Sequence, residues 1–205
     1  MSYISFSKRS YGLTLAFFCI AALGASVGAF TSYRVQENQQ ARTKVLDKGS
    51  SPNEPIAITD IKVADKAISF GDKLDGDEDW LKDVSFKIKN ISDKPIVYAE
   101  IDLEFPETKS SGNLMVYPIQ LGQRPGLPNR NQEPLYLPPG ETLDIQLPSK
   151  YDAIKRFINH RQQMSDIHRG VVRIGFVVFS DMTGWDTGTA LRQDPHKPTR
   201  FIPIS

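Results

Sequence analysis

Residues 84–105 read VSFKIKNISDKPIVYAEIDLEF. Val84, Phe86 and Ile88 alternate with Ser85, Lys87 and Lys89. Val97, Ala99, Ile101, Leu103 and Phe105 then alternate with Tyr98, Glu100, Asp102 and Glu104. A period of two sends successive side chains to opposite faces of a strand, so each run has one face for a core and one for water. Between the runs, residues 90–95 carry Asn, Ser, Asp and Pro, which is turn chemistry. The two runs are expected to pair as a β-hairpin.

Working outward, the same short apolar runs recur. Ile56, Ile58, Ile61 and Val63 suggest a first strand, Met115, Tyr117 and Ile119 an edge strand, and Leu143, Ile145 and Leu147 another. Val172, Ile174, Phe176 and Val178 form the most hydrophobic run, expected to be central. Regularly spaced short strands predict a mainly β fold, an immunoglobulin-like β-sandwich. One helix interrupts the series. Ser149 is its expected N-cap with Asp152 three residues on, Tyr151, Ile154, Phe157 and Ile158 share its apolar face, and Gly170 ends the segment. Residues 106–139 are rich in proline, and 122–134 read as a long loop. Long loops often carry binding, so Arg124, Asn129, Arg130 and Asn131 are candidate partner-binding residues, against the plainer reading of a solvated excursion.

The N-terminal part differs in kind. Residues 11–33 contain no charge and are bracketed by Tyr11 and Tyr33. A run of this length suffices to cross ~30 Å of hydrocarbon as a helix, and interfacial aromatics often flank such spans. A cleaved signal peptide is the rival reading, with Lys8 and Arg9 as its basic region and 27–29 as a small-residue cleavage site. The apolar stretch exceeds a usual signal core, which favours a retained single transmembrane helix. No small residue immediately precedes Cys19, so a lipobox is not expected. Gly24 and Gly28, with Ala21, Ala25 and Ala29 beside them, offer a helix–helix docking face, although small residues are common in such helices. Lys8 and Arg9 favour an inside N-terminus, while Arg34, Arg42, Lys44 and Lys48 follow the run. Insertion as a signal anchor decides the orientation. The expected organisation is a cytoplasmic tail at 1–10, a membrane helix at 11–33, a polar stalk at 34–55 and an extracytoplasmic domain at 56–205.

The chain has 25 basic and 24 acidic residues and no basic cluster, which speaks against nucleic acid as a partner. Its one cysteine, Cys19, lies in the apolar run, so the outer domain offers no disulfide and no cysteine-ligated metal site.

Three segments carry a resemblance. Asn90-Ile-Ser-Asp-Lys-Pro-Ile96 resembles a turn of bacterial extracytoplasmic immunoglobulin-like domains. Leu137-Pro-Pro-Gly-Glu141 is similar to the segment that precedes a strand in them. Ser180-Asp-Met-Thr-Gly-Trp185, followed by Gly188, looks like a hairpin of uncharacterised membrane-anchored bacterial proteins, with Met182 where that hairpin has glycine. The resemblance implies a fold and a compartment, and no reaction.

Candidate chemistry is sparse. Asp75, Asp77 and Asp79 crowd into GDKLDGDEDW, and carboxylates so spaced can cage Ca²⁺, but the spacing is not that of an EF-hand and acidic turns are common. His160, His168 and His196 do not form a ligand set by spacing. No nucleophile elbow or phosphate-binding glycine loop is present, and Trp80 and Trp185 fit core packing better than surface binding. Asn90-Ile91-Ser92 is a formal glycosylation sequon, which matters only in a eukaryotic secretory pathway. The expectation is a non-enzymatic interaction or scaffold protein of the bacterial inner membrane, such as an accessory subunit of a larger membrane complex, its domain periplasmic, with membrane lipid and other membrane or periplasmic proteins as partners and no cofactor. Two alternatives stay open: a binding module for a small ligand or cell-wall component, and a hydrolase whose site would be a deep pocket with at least two titratable groups.

Overall fold

A computed structural model describes residues 42–127, 132–162 and 166–204. The expected tail, membrane helix with Gly24 and Gly28, and first part of the stalk lie outside the described residues. Among the described residues no helix is long and apolar enough to cross a membrane.

Among the described residues the domain from Thr43 onward is mainly β, with two sheets and one α-helix, α1 (Tyr151–Gln162). The smaller sheet holds β2 (Ile56–Val63), β3 (Lys66–Ala67), β5 (Val84–Asn90) and β8 (Thr142–Gln146) in the order β3-β2-β5-β8. The larger sheet is built on β9 (Arg169–Phe179). Along one edge β9 pairs antiparallel with β6 (Ile96–Phe105), which pairs with the edge strand β7 (Met115–Leu121). Its other edge is shared. The first half pairs in parallel with β1 (Thr43–Lys48), which carries β4 (Lys73–Asp75). The second half pairs with β10 (Thr183–Asp186), which continues into β11 (Thr189–Asp194) and β12 (Lys197–Pro203). Inward-facing residues of both sheets join one core: Phe86 and Ile88 from β5, Ile101 and Leu103 from β6, Val172, Ile174 and Val177 from β9, and Ile154 and Ile158 from α1. The run expected to be central is β9.

The expected hairpin is corrected. β5 pairs with β2 and β8, whereas β6 pairs with β7 and β9, so the two runs belong to different sheets. Residues 90–95 carry the chain from one sheet to the other. Each end of this crossing is held by the 137–141 segment: Asn90 N–H donates to Glu141 O, and Ile96 and Leu137 exchange both backbone bonds. Alternation required only that each strand bury one face, and facing sheets satisfy that as well as a hairpin does.

The second half of the expected stalk is also corrected. Residues 43–48 are β1, with Lys44 and Leu46 fully buried. The buried ammonium of Lys44 is paired with the Asp166 carboxylate, which brings the 166–168 segment against β1. At the helix, Ser149 sits in a 3-10 turn and its hydroxyl donates to Gln146 O at 2.8 Å, so it does not cap α1. Gly170 lies in β9 rather than at a helix end. The phase change between Ile58 and Ile61 is a register shift in β2, where Asp60 takes φ 50°. Met182, standing where the resembled hairpin has glycine, does adopt the left-handed region, with φ 62°.

Candidate functional site

The outer face of the larger sheet is not simply wet. Tyr98, Phe176, Val178 and Leu191 form a second, small apolar cluster there, with Val97 and Phe201 packed on it. Phe176 and Phe201 meet edge to face at 5.3 Å, so the β10–β12 ribbon curls over this face. Tyr98 is therefore fully buried, although alternation assigned it to water. A register shift between Ile96 and Tyr98 accompanies the change.

Beside this cluster lies a groove of about 430 Å³. Its floor is Gly175 and Phe176 of β9, Glu100 and Asp102 come from β6, Asp186 ends β10 and Thr187 follows it, and Thr199 and Arg200 come from β12. Arg124 of the long loop closes it. Two glycines make this geometry possible. Glu100 pairs with Phe176 and Ile101 with Ile174, so Gly175 is the extra residue of a bulge, and a Cβ on it would lie 2.4 Å from Asp102 Oδ2. Glycine in a strand often marks such a close approach. Gly126, at φ +78°, lets the loop press on β12, where a Cβ would sit 2.4 Å from Pro198 O.

The electrostatics follow from this packing. Burial, and then the negative charges of Glu100 and Glu104, push the Asp102 carboxyl up to about 6, with Arg173 opposing. Burial and Glu100 likewise raise the Tyr98 hydroxyl, so it stays protonated and donates to Glu100 Oε2 at 2.9 Å. Gln120 Nε2 donates to the same oxygen at 3.3 Å. The Arg124 guanidinium stacks over Phe176, its Cζ 4.8 Å from the ring centre. Its Nε is buried and has no acceptor among the described residues.

Of the residues singled out from sequence, Arg124 reaches this groove, while Asn129, Arg130 and Asn131 lie outside the described residues. Asp75, Asp77 and Asp79 are not gathered at a point: among the described residues no three His, Cys, Asp or Glu side chains form a metal-sized group. Asp79 is bound instead by Lys155 Nζ at 2.6 Å and by the Tyr151 hydroxyl, which hold its carboxyl below the usual carboxylate range. His168 Nε2 stands 3.5 Å from Asp166 Oδ2. Trp80 and Trp185 are buried, their indoles donating to Ile167 O and Pro52 O at 2.7 and 3.1 Å. Glu100, Asp102, Asp186 and Arg200 were not foreseen. One signal was present: a glycine interrupting the apolar run VVRIGFVVF. Compared with protein-family models, with curated proteins and with solved structures, the chain matches none of them.

Proposed function

We propose that this chain is a non-catalytic binding module, an immunoglobulin-like β-sandwich held outside a bacterial inner membrane by residues 11–33, which takes a small ligand or cell-wall fragment in the outer-face groove. The observation that carries the reading is the groove itself, where Arg124 lies over Phe176 and shares the lining with Glu100, Asp102, Asp186 and Arg200, none of them ion-paired among the described residues. The groove volume lies within the ~300–1,000 Å³ range of small-molecule sites. Among the described residues its lining includes no histidine, lysine, serine or cysteine. Two sheets sharing one core support the sandwich.

Thermal unfolding of the full chain in mild detergent tests the proposal. Amino acids, short peptides, amines, organic acids and sugars serve as probes. At least one class should raise Tm, and Thr199→Trp, which fills the groove from its exposed rim, should abolish the gain. No stabilisation by any class would refute the reading.

A further inference from the structure

We infer that the groove takes a zwitterionic ligand, its cationic end among Glu100, Asp102 and Asp186 and its anionic end at Arg124 and Arg200. The inference rests on the binding-module reading and specifies its ligand. Five charged side chains of both signs line one groove, yet among the described residues none is ion-paired with another or with any further group. Elsewhere the domain pairs its charges readily: Lys48 with Glu54, Arg169 with Asp47, Lys94 with Asp181 at 2.7 Å, and Arg173 with Glu104 at 2.6 Å. Charges that do not neutralise one another leave their fields for a ligand, and a concave wall concentrates those fields.

The two signs come from different segments of the fold. The carboxylates rise from β6 and β10, the strands flanking β9, while the arginines enter from the long loop and from β12. A primary ammonium can donate to the carboxylate nearest it while sitting in the field of the other two. Arg124 lies over Phe176, and the terminal nitrogens of its guanidinium offer a planar carboxylate two parallel bonds. Phe176, Phe201 and Leu191 supply apolar contact in the same groove. Asp102 is flanked by Glu100 and Glu104 on its own strand, Arg173 on β9 and Asp186 on β10, so an arriving cation would meet an excess of negative charge.

Titration calorimetry on the full chain in mild detergent provides the test. The probes are unbranched ω-amino acids of increasing length, from glycine to aminocaproate, with the alkylamine and the carboxylic acid of each length. At one length the zwitterion should bind at least about tenfold tighter than either matched probe. Arg124→Gln should abolish the advantage of the zwitterion over the amine, and Asp102→Asn should weaken zwitterion and amine alike. An amine that binds as well as the zwitterion, an acid that does so, or binding by neutral sugars alone would overturn the inference and leave the binding module standing. No binding by these probes or by the wider panel would remove both.

Discussion

Asp102 is a carboxyl that the fold makes expensive to ionise. Its folded value of about 6 lies above the usual ~3.9, so the folded state holds the proton more tightly than the unfolded chain. Stability therefore falls as pH rises from about 4 to about 6 and is flat above. Asp102→Asn, which cannot ionise, should be more stable than the parent by about 1 kcal/mol at pH 7, a figure discounted for solvent screening of a partly exposed carboxyl, and equal to it near pH 4. Urea unfolding at both pH values measures this; a gain independent of pH would show that the carboxyl is not perturbed. Asn90 is the opposite case, a buried polar group fully satisfied. Its Nδ2 donates to Lys94 O and Leu137 O at 2.8 and 2.9 Å, and its Oδ1 accepts from the Ser92 amide and hydroxyl at 3.0 and 2.7 Å. Asn90→Ala strands these partners and should cost about 3 kcal/mol. Asn90→Asp keeps the volume but turns an oxygen toward two carbonyls, so it should cost at least as much. A mild effect of Asp beside a severe effect of Ala would mean that packing, not hydrogen bonding, fixes the crossing. The turn composition at 90–95 was legible in the sequence. That it ties together two sheets and the 137–141 segment was not, because those partners are distant in the chain.

At the level of elements, β1 shows why a strand can hide. Its buried positions are Lys44 and Leu46, so one of the two signals that alternation relies on is a charged residue. Periodicity read from side-chain polarity cannot register a lysine whose charge is met by a carboxylate far along the chain. The strands from β5 to β9 had apolar residues at their buried positions, and their existence was readable for that reason. Their partners were not, since alternation encodes a face and not a neighbour. The consequence for β1 is measurable. Leu46→Ala in the full chain should cost about 3 kcal/mol, as a core truncation does, whereas a residue in a solvated stalk would change stability by less than about 0.5 kcal/mol. Denaturant unfolding of the variant distinguishes the two, and a neutral result would return residues 43–48 to a linker.

For the molecule as a whole, the groove is a product of topology. It draws on β6, the long loop, the β9–β10 edge and β12, segments that meet only because β9 is shared by two ribbons and the second curls back over the face. No motif spans such a set, so from sequence only Arg124, through its loop, and Gly175, through its break in an apolar run, pointed toward it. The proposed tether is the reverse: residues 11–33 are local, uncharged and long enough at ~1.5 Å per residue to cross ~30 Å of hydrocarbon. A groove carried on a tether samples only the layer near the membrane, which raises its effective concentration toward envelope ligands. The tether predicts that membranes washed in alkaline carbonate keep the chain in the pellet at its full 23.0 kDa. Ile20→Arg, which places a charge near the centre of the run at a cost of ~2.5–3.5 kcal/mol, should shift part of it to the supernatant. Mass spectrometry of the released and retained fractions completes the experiment. A parent protein recovered in the supernatant and beginning just after Ala29 would show a cleaved leader, leaving the groove to act in free solution.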